Sequence, residues 1–147
     1  MFTGIIQTQA TVVSKTHAQG VLRLVVSVNE QYVKHLDLGA SIAINGCCLT
    51  VVKVELSNQD VVAQVHFDVI DETLRVSNLA TVTEGSKVNV ERSLKVGDEI
   101  GGHMLSGHVH TQAVVTERKD SIDNCSLSFS VASQYQKYIF AKGFISI

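Results

Sequence analysis

The chain has 147 residues, of which 45% are apolar and 18% charged, and a net charge of -2. That composition can bury a core, and a slightly acidic chain with five Phe, three Tyr and no Trp lacks the basic footprint and stacking platforms of a nucleic-acid binder. No apolar run reaches the ~20 residues of a membrane span, and the opening MFTGIIQTQATVV is not basic at its start as a signal peptide is, so a cytoplasmic protein without a membrane contact is expected.

Period-two alternation of β-branched and apolar residues, broken by Gly, Asn or Asp, predicts strands over 2–13, 21–28, 40–45, 47–55, 61–69 and 86–92. Short helical turns fit 30–36 and 72–79, where ETLRVSNL interrupts the alternation. Residues 93–103 (SLKVGDEIGGH) carry three glycines and read as a linker. Beyond it, strands are expected over 104–117, 124–132 and 142–147, with a helical turn over 133–140.

The second set repeats the first at an offset of 103 residues. Residues 1–12 (MFTGIIQTQATV) and 104–115 (MLSGHVHTQAVV) share six identities in twelve, and the same offset aligns Leu24, Val26 and Val28 with Leu127, Phe129 and Val131. A fixed internal period decides the architecture before any single motif does. The expected fold is all-β, with tandem six-stranded antiparallel Greek-key barrels, since closure removes exposed strand edges. The second barrel is incomplete: residues 1–93 form the first, 94–103 the linker and 104–147 part of the second. The repeat breaks off at Ile147, where the counterpart of Asn45 would begin, so the chain is expected to be truncated within its second barrel.

Three stretches carry the chemistry. In NGCCLTVV, Asn45-Gly46 signals a hairpin turn, and the strand after it points one of Cys47 and Cys48 inward and the other outward. A small buried hydrophobe is the usual fate of a free cysteine, and three cysteines without framework spacing suit free thiols. In FDVIDETLRVSNL, Asp71 is placed to cap a short helix with Glu72 in its first turn, and the extended backbone before it can offer amides and carbonyls to the edge of a planar heterocycle. In GGHMLSGHVH, His103, His108 and His110 cluster. His108 and His110 share a strand face, but no nearby carboxylate or cysteine completes a ligand set, so no metal is expected. His108 stands where the first repeat has Ile5, which suits a proton-handling role.

Taken together, MFTGII, NGCCLTV, FDVIDETLRVSNL, VNVERSL, DEIGGHMLSGHV and KYIFAKGFI resemble riboflavin synthase of the alpha-chain type, built from two lumazine-binding barrels. The resemblance implies a transferase without cofactor: two molecules of 6,7-dimethyl-8-ribityllumazine exchange a four-carbon unit, giving riboflavin and 5-amino-6-(D-ribitylamino)uracil. It implies a first-barrel site from Gly4, Ile5 and Ile6, from Cys48, Leu49 and Thr50, and from Asp68, Val69, Ile70, Asp71, Glu72 and Thr73, with Ser41 as a further polar contact. Gly107, His108, Val109 and Lys142 would belong to a second-barrel site facing a neighbouring subunit. His108, Cys48 and Ser41 would carry the chemistry, His108 as the base that takes a proton from a lumazine methyl group. Ser146 aligns with Ala43 and is not part of that set. The family's trimer implies a homo-oligomer, with a dimer through first barrels or an irregular association of half-barrels expected for a chain of this extent. The alternative is a non-catalytic lumazine- or riboflavin-binding protein of the antenna type.

Overall fold

A computed structural model describes residues 1–18, 20–56 and 61–147. The alternating segments form β1 (Thr8–Ala18), β2 (Val21–Asn29), β3 (Ser41–Ile44), β4 (Cys47–Leu56), β5 (Val62–Val69) and β6 (Lys87–Arg92). These close into a barrel in the order β1-β2-β5-β4-β3-β6, every neighbouring pair antiparallel. Hairpin neighbours β3, β4 and β5, with β2 returning beside β5, make the Greek key.

The alternation sets what is inside. On β5, Ala63, Val65, Phe67 and Val69 are buried, whereas Val62, Gln64 and Asp68 face out. Leu22, Leu24 and Val26 from β2 and Ile42 and Ile44 from β3 complete the same core. Each large apolar side chain so buried contributes about 1.5–3 kcal/mol. Asn45 and Gly46 both have positive φ, 48° and 77°, as a two-residue type I′ turn requires. Asn45 is also tied to β6: its N–H donates to the Asn89 carbonyl at 2.9 Å and its Oδ1 accepts from the Asn89 N–H at 2.8 Å.

Several boundaries differ from expectation. The first strand starts at Thr8, because Gly4 at φ 80° turns the chain and the residues before β1 are held by other partners. The turn expected over 30–36 is a short 3-10 segment at Glu30–Tyr32, and 72–79 becomes a helix, α1 (Asp71–Val76), followed by a 3-10 turn at Asn78–Ala80. Asp71 does not cap α1: Ile70 is the cap residue, without a side-chain bond, and Asp71 is the first helical residue.

The second repeat forms a two-stranded sheet, β7 (Val114–Asp120) and β8 (Cys125–Ser130), and a short helix, α2 (Ser133–Gln136). Its pairing carries the repeat down to detail. The register of β1 against β2 shifts between Val12 and Ser14, and that of β7 against β8 shifts between Val115 and Glu117, the same positions at the 103-residue offset. Residues 142–147 form no strand. Their counterpart β3 is held between β4 and β6, and among the described residues 142–147 have no such pair of flanking strands. For the same reason Val115, Leu127 and Ile145 are 53%, 46% and 57% exposed, whereas their counterparts Val12, Leu24 and Ile42 are buried to 2% or less.

Candidate functional site

At one end of the barrel β4 and β5 part. They pair from Val51↔Phe67 to Leu56↔Ala63 with a register shift between Val51 and Lys53, while Cys47, Cys48, Leu49 and Thr50 pair with β3 alone, Thr50 opposite Ser41 and Cys48 opposite Ala43. The N–H of Cys48 donates instead to the carbonyl of Gly107, at 2.8 Å. Strand alternation buries Cys47 and leaves Cys48 half-buried. Burial pushes the Cys47 thiol up to about 11, which keeps it protonated and unreactive near neutral pH.

The amino-terminal residues close the same end. Phe2 is 1% exposed, and it exchanges both backbone hydrogen bonds with Leu105, at 2.8 and 2.9 Å. Leu105 is its own counterpart in the repeat, so the two copies meet through equivalent residues. Gly107, at φ 76°, lies so close that a Cβ there would come within 2.8 Å of the Cys48 Cβ and 2.9 Å of the Phe2 ring. On the other side the Glu91 carboxylate accepts from the Thr3 N–H at 2.6 Å, the Thr3 hydroxyl at 2.9 Å and the Gly4 N–H at 3.2 Å. The stretch read as a linker is pinned at both ends: the Leu94 N–H donates to the Met1 carbonyl and the His103 N–H to the Thr3 carbonyl.

The structure thus brings Gly4, Ser41, Cys48, Thr50 and Gly107 to one end of the barrel. Ile5, Ile6 and Ile70 are 49%, 44% and 56% exposed, apolar side chains of the kind that can meet the face of a flat ring. Leu49 and Val69 point into the core, which leaves only their backbone groups for contact with anything outside the barrel. Two of the three acidic side chains of the 68–73 segment, Asp68 and Glu72, are engaged with arginines. Asp68 receives both Arg23 nitrogens, at 2.9 and 3.1 Å, and that guanidinium holds its carboxyl below the usual range. Glu72 is paired likewise with Arg75. The Thr73 carbonyl accepts from the Ser77 hydroxyl at 2.6 Å.

From the second repeat, Val109 packs against the barrel core, and the Gln112 side chain donates to the carbonyls of Arg75 and Ser77 at 3.2 and 2.9 Å. His108 is exposed, and its N–H donates to the Ser106 hydroxyl at 3.1 Å. Lys142, at φ 57°, is exposed beyond α2 and makes no hydrogen bond or ion pair to Gly107, His108 or Val109 among the described residues. His103 stacks on Phe144, ring centroids 3.7 Å apart. Among the described residues no three His, Cys, Asp or Glu side chains gather as metal ligands. Phe2, Glu91 and Gln112 are parts of this end of the barrel that sequence reasoning missed. Phe2 had a signal, its place in the duplicated MFTG and MLSG; Glu91 and Gln112 act on partners distant in the chain and had none.

The family model of the lumazine binding domain matches residues 3–93. The riboflavin synthase of Escherichia coli (strain K12) is 44% identical over 148 residues, covering 100% of this chain and 67% of that protein. The chain therefore spans about two thirds of that relative's length. The crystal structure of LumP complexed with riboflavin superimposes with a TM-score of 0.80 at 23% identity, over 97% of this chain and 73% of that one. LumP complexed with 6,7-dimethyl-8-(1'-D-ribityl) lumazine gives 0.75 at 24%, over 90% and 70%. At that identity the likeness concerns the fold.

Proposed function

Since the chain belongs to the riboflavin synthase family, we propose that it catalyses the dismutation of two 6,7-dimethyl-8-ribityllumazine molecules to riboflavin and 5-amino-6-(D-ribitylamino)uracil. The observation that carries the reading is the end of the barrel where β4 and β5 part. Ile5, Ile6 and Ile70 are exposed and would offer an apolar face, with hydrogen-bonding edges from the backbone of 48–50 and 68–73, to one lumazine. Gly4, Ile5, Ile6, Cys48, Leu49, Thr50 and residues 68–73 hold that ring. Gly107, His108, Val109 and Lys142 contact the second.

The chemistry asks little of the protein beyond placement. Both reactants carry the reactive ring, the four-carbon unit passes from one to the other, and no external oxidant or reductant is needed. Holding two rings face to face can supply on the order of 7–11 kcal/mol of the barrier in favourable cases. His108, exposed and free to reach a ligand, takes a proton from the acidic methyl group of one lumazine. Cys48 and Ser41, one strand apart on β4 and β3, position a water or add transiently to the acceptor ring.

The proposal extends to organisation: residues 1–93 as the first lumazine-binding barrel, 94–103 as the linker and 104–147 as part of a second, in a cytoplasmic homo-oligomer whose first barrel faces the second repeat of a neighbour. A second reading, binding without turnover, is favoured by the uncovered inner face of β7 and β8. Purified chain mixed with the lumazine distinguishes them: riboflavin accumulates under the first reading, and substrate fluorescence changes without product under the second.

A further inference from the structure

We propose that Glu91 is a positioning residue for the first-barrel site, its carboxylate fixing the Thr3 and Gly4 amides and so aiming Gly4, Ile5 and Ile6 at the ligand. The inference rests on the reading of that segment as ligand-binding. Glu91 lies on β6 opposite Ala43, on the face away from the core residues Val88 and Val90, and is nevertheless only 4% exposed. A carboxylate so buried has to be met by donors. Among the described residues its hydrogen-bond partners all lie at two successive positions, the N–H and hydroxyl of Thr3 and the N–H of Gly4, which reaches both carboxylate oxygens at 3.2 Å.

The chemistry of the group fits this task and no neutral substitute does. A carboxylate has two acceptor oxygens and no donor, whereas the amide of Gln would turn an N–H2 toward the same donors. Charge-assisted bonds of this kind are also short and strongly directional, as the 2.6 Å contact to the Thr3 N–H shows. With both amides drawn to Glu91, the peptide planes on either side of Thr3 are set, and the Thr3 hydroxyl that donates to Glu91 also accepts from the Ile5 N–H at 3.3 Å, across Gly4 at φ 80°. The exposed Ile5 and Ile6 leave the barrel in the direction that this turn dictates. The Thr3 carbonyl meanwhile accepts from the His103 N–H, and Phe2 pairs with Leu105. One buried carboxylate therefore anchors the segment against which the run to Gly107 is laid. Buried beneath that segment, Glu91 acts through residues 3–6 and does not itself touch the ligand.

The test compares three chains: the unaltered protein, Glu91→Gln, and Val65→Ala, which opens the core at a β5 residue outside the segment. Affinities for riboflavin and for 6,7-dimethyl-8-ribityllumazine are read by fluorescence well below each unfolding midpoint, and the Thr3 and Gly4 amide signals are read by NMR. Glu91→Gln is expected to weaken both ligands by about tenfold or more, the scale of losing charge-assisted hydrogen bonds, and to displace the Thr3 and Gly4 signals. Val65→Ala is expected to unfold at lower temperature and bind as the unaltered chain does. Glu91→Gln binding as tightly as the unaltered chain would overturn the proposal, and so would an equal loss in Val65→Ala, which would reduce the effect to general loosening. Failure of the unaltered chain to bind either compound would instead bring down the ligand-binding reading, and this inference with it.

Discussion

A Cβ at residue 107 would have to share space with the Cys48 Cβ at 2.8 Å and the Phe2 ring at 2.9 Å on a backbone at φ 76°. Its repeat counterpart Gly4 faces only the end of the flexible Leu105 side chain, at 3.0 Å. Gly107→Ala is therefore expected to cost about 2 kcal/mol or more, from left-handed strain plus overpacking, and Gly4→Ala only the strain of about 1–2 kcal/mol. Thermal unfolding of the two variants checks the order. Cys47 gives a pH signature. Its folded-state value lies near 11 against an ordinary 9.0, so the native state keeps a proton that the unfolded chain releases. The stabilisation is complete below about pH 9 and is lost as pH rises toward about 11, a decline that Cys47→Ala should flatten in denaturant titrations run across that range. For the proposed base, His108→Gln should lower turnover by about a hundredfold or more while lumazine binding at the first barrel persists; unchanged turnover would remove His108 from the chemistry. The duplicated glycines and the His108-for-Ile5 exchange were legible in the sequence because one copy can be read against the other. Glu91 was not, since its partners lie 87 and 88 positions away and nothing local marks a buried carboxylate.

Turns and strands carry the site by setting register. The Asn45-Gly46 turn fixes Cys48 opposite Ala43 and Thr50 opposite Ser41, and a slip of one residue would exchange the directions of Cys47 and Cys48. Asn45→Ala loses tolerance for φ 48° and the 2.8 Å bond from Asn89, so a loss of about 1–3 kcal/mol is expected in denaturant unfolding. Phe67, fully buried on β5, should cost about 3–5 kcal/mol as Ala. The barrel strands were readable because one face of each meets the core, which imposes period two. Residues 2–4 are not a continuation of β1: their partners are the Glu91 side chain, Leu105 and His103, contacts that no pattern within the segment encodes. The strand expected over 142–147 failed for a related reason, because strand character there depends on neighbours on both sides, as it does for β3.

Across the whole molecule, the two repeats meet at their equivalent residues Phe2 and Leu105, but they differ in closure. The first is a sealed barrel with its core at 7% exposure or less, while β7 and β8 leave apolar positions open. The duplication was visible in sequence at the 103-residue offset, and its register shifts at equivalent positions of β1 and β7 follow from it. That the second repeat would reach back to bond Cys48, Arg75 and Ser77 was not visible, since such docking depends on where the linker leads once Met1 and Thr3 hold its ends. In the proposed function this arrangement places two lumazines for exchange of a four-carbon unit. The most direct measurement incubates the purified chain with 6,7-dimethyl-8-ribityllumazine alone and quantifies both products with time. Riboflavin and 5-amino-6-(D-ribitylamino)uracil appearing in equal amounts, with no added oxidant or cofactor, is the predicted result; substrate bound but unconverted after prolonged incubation would contradict it.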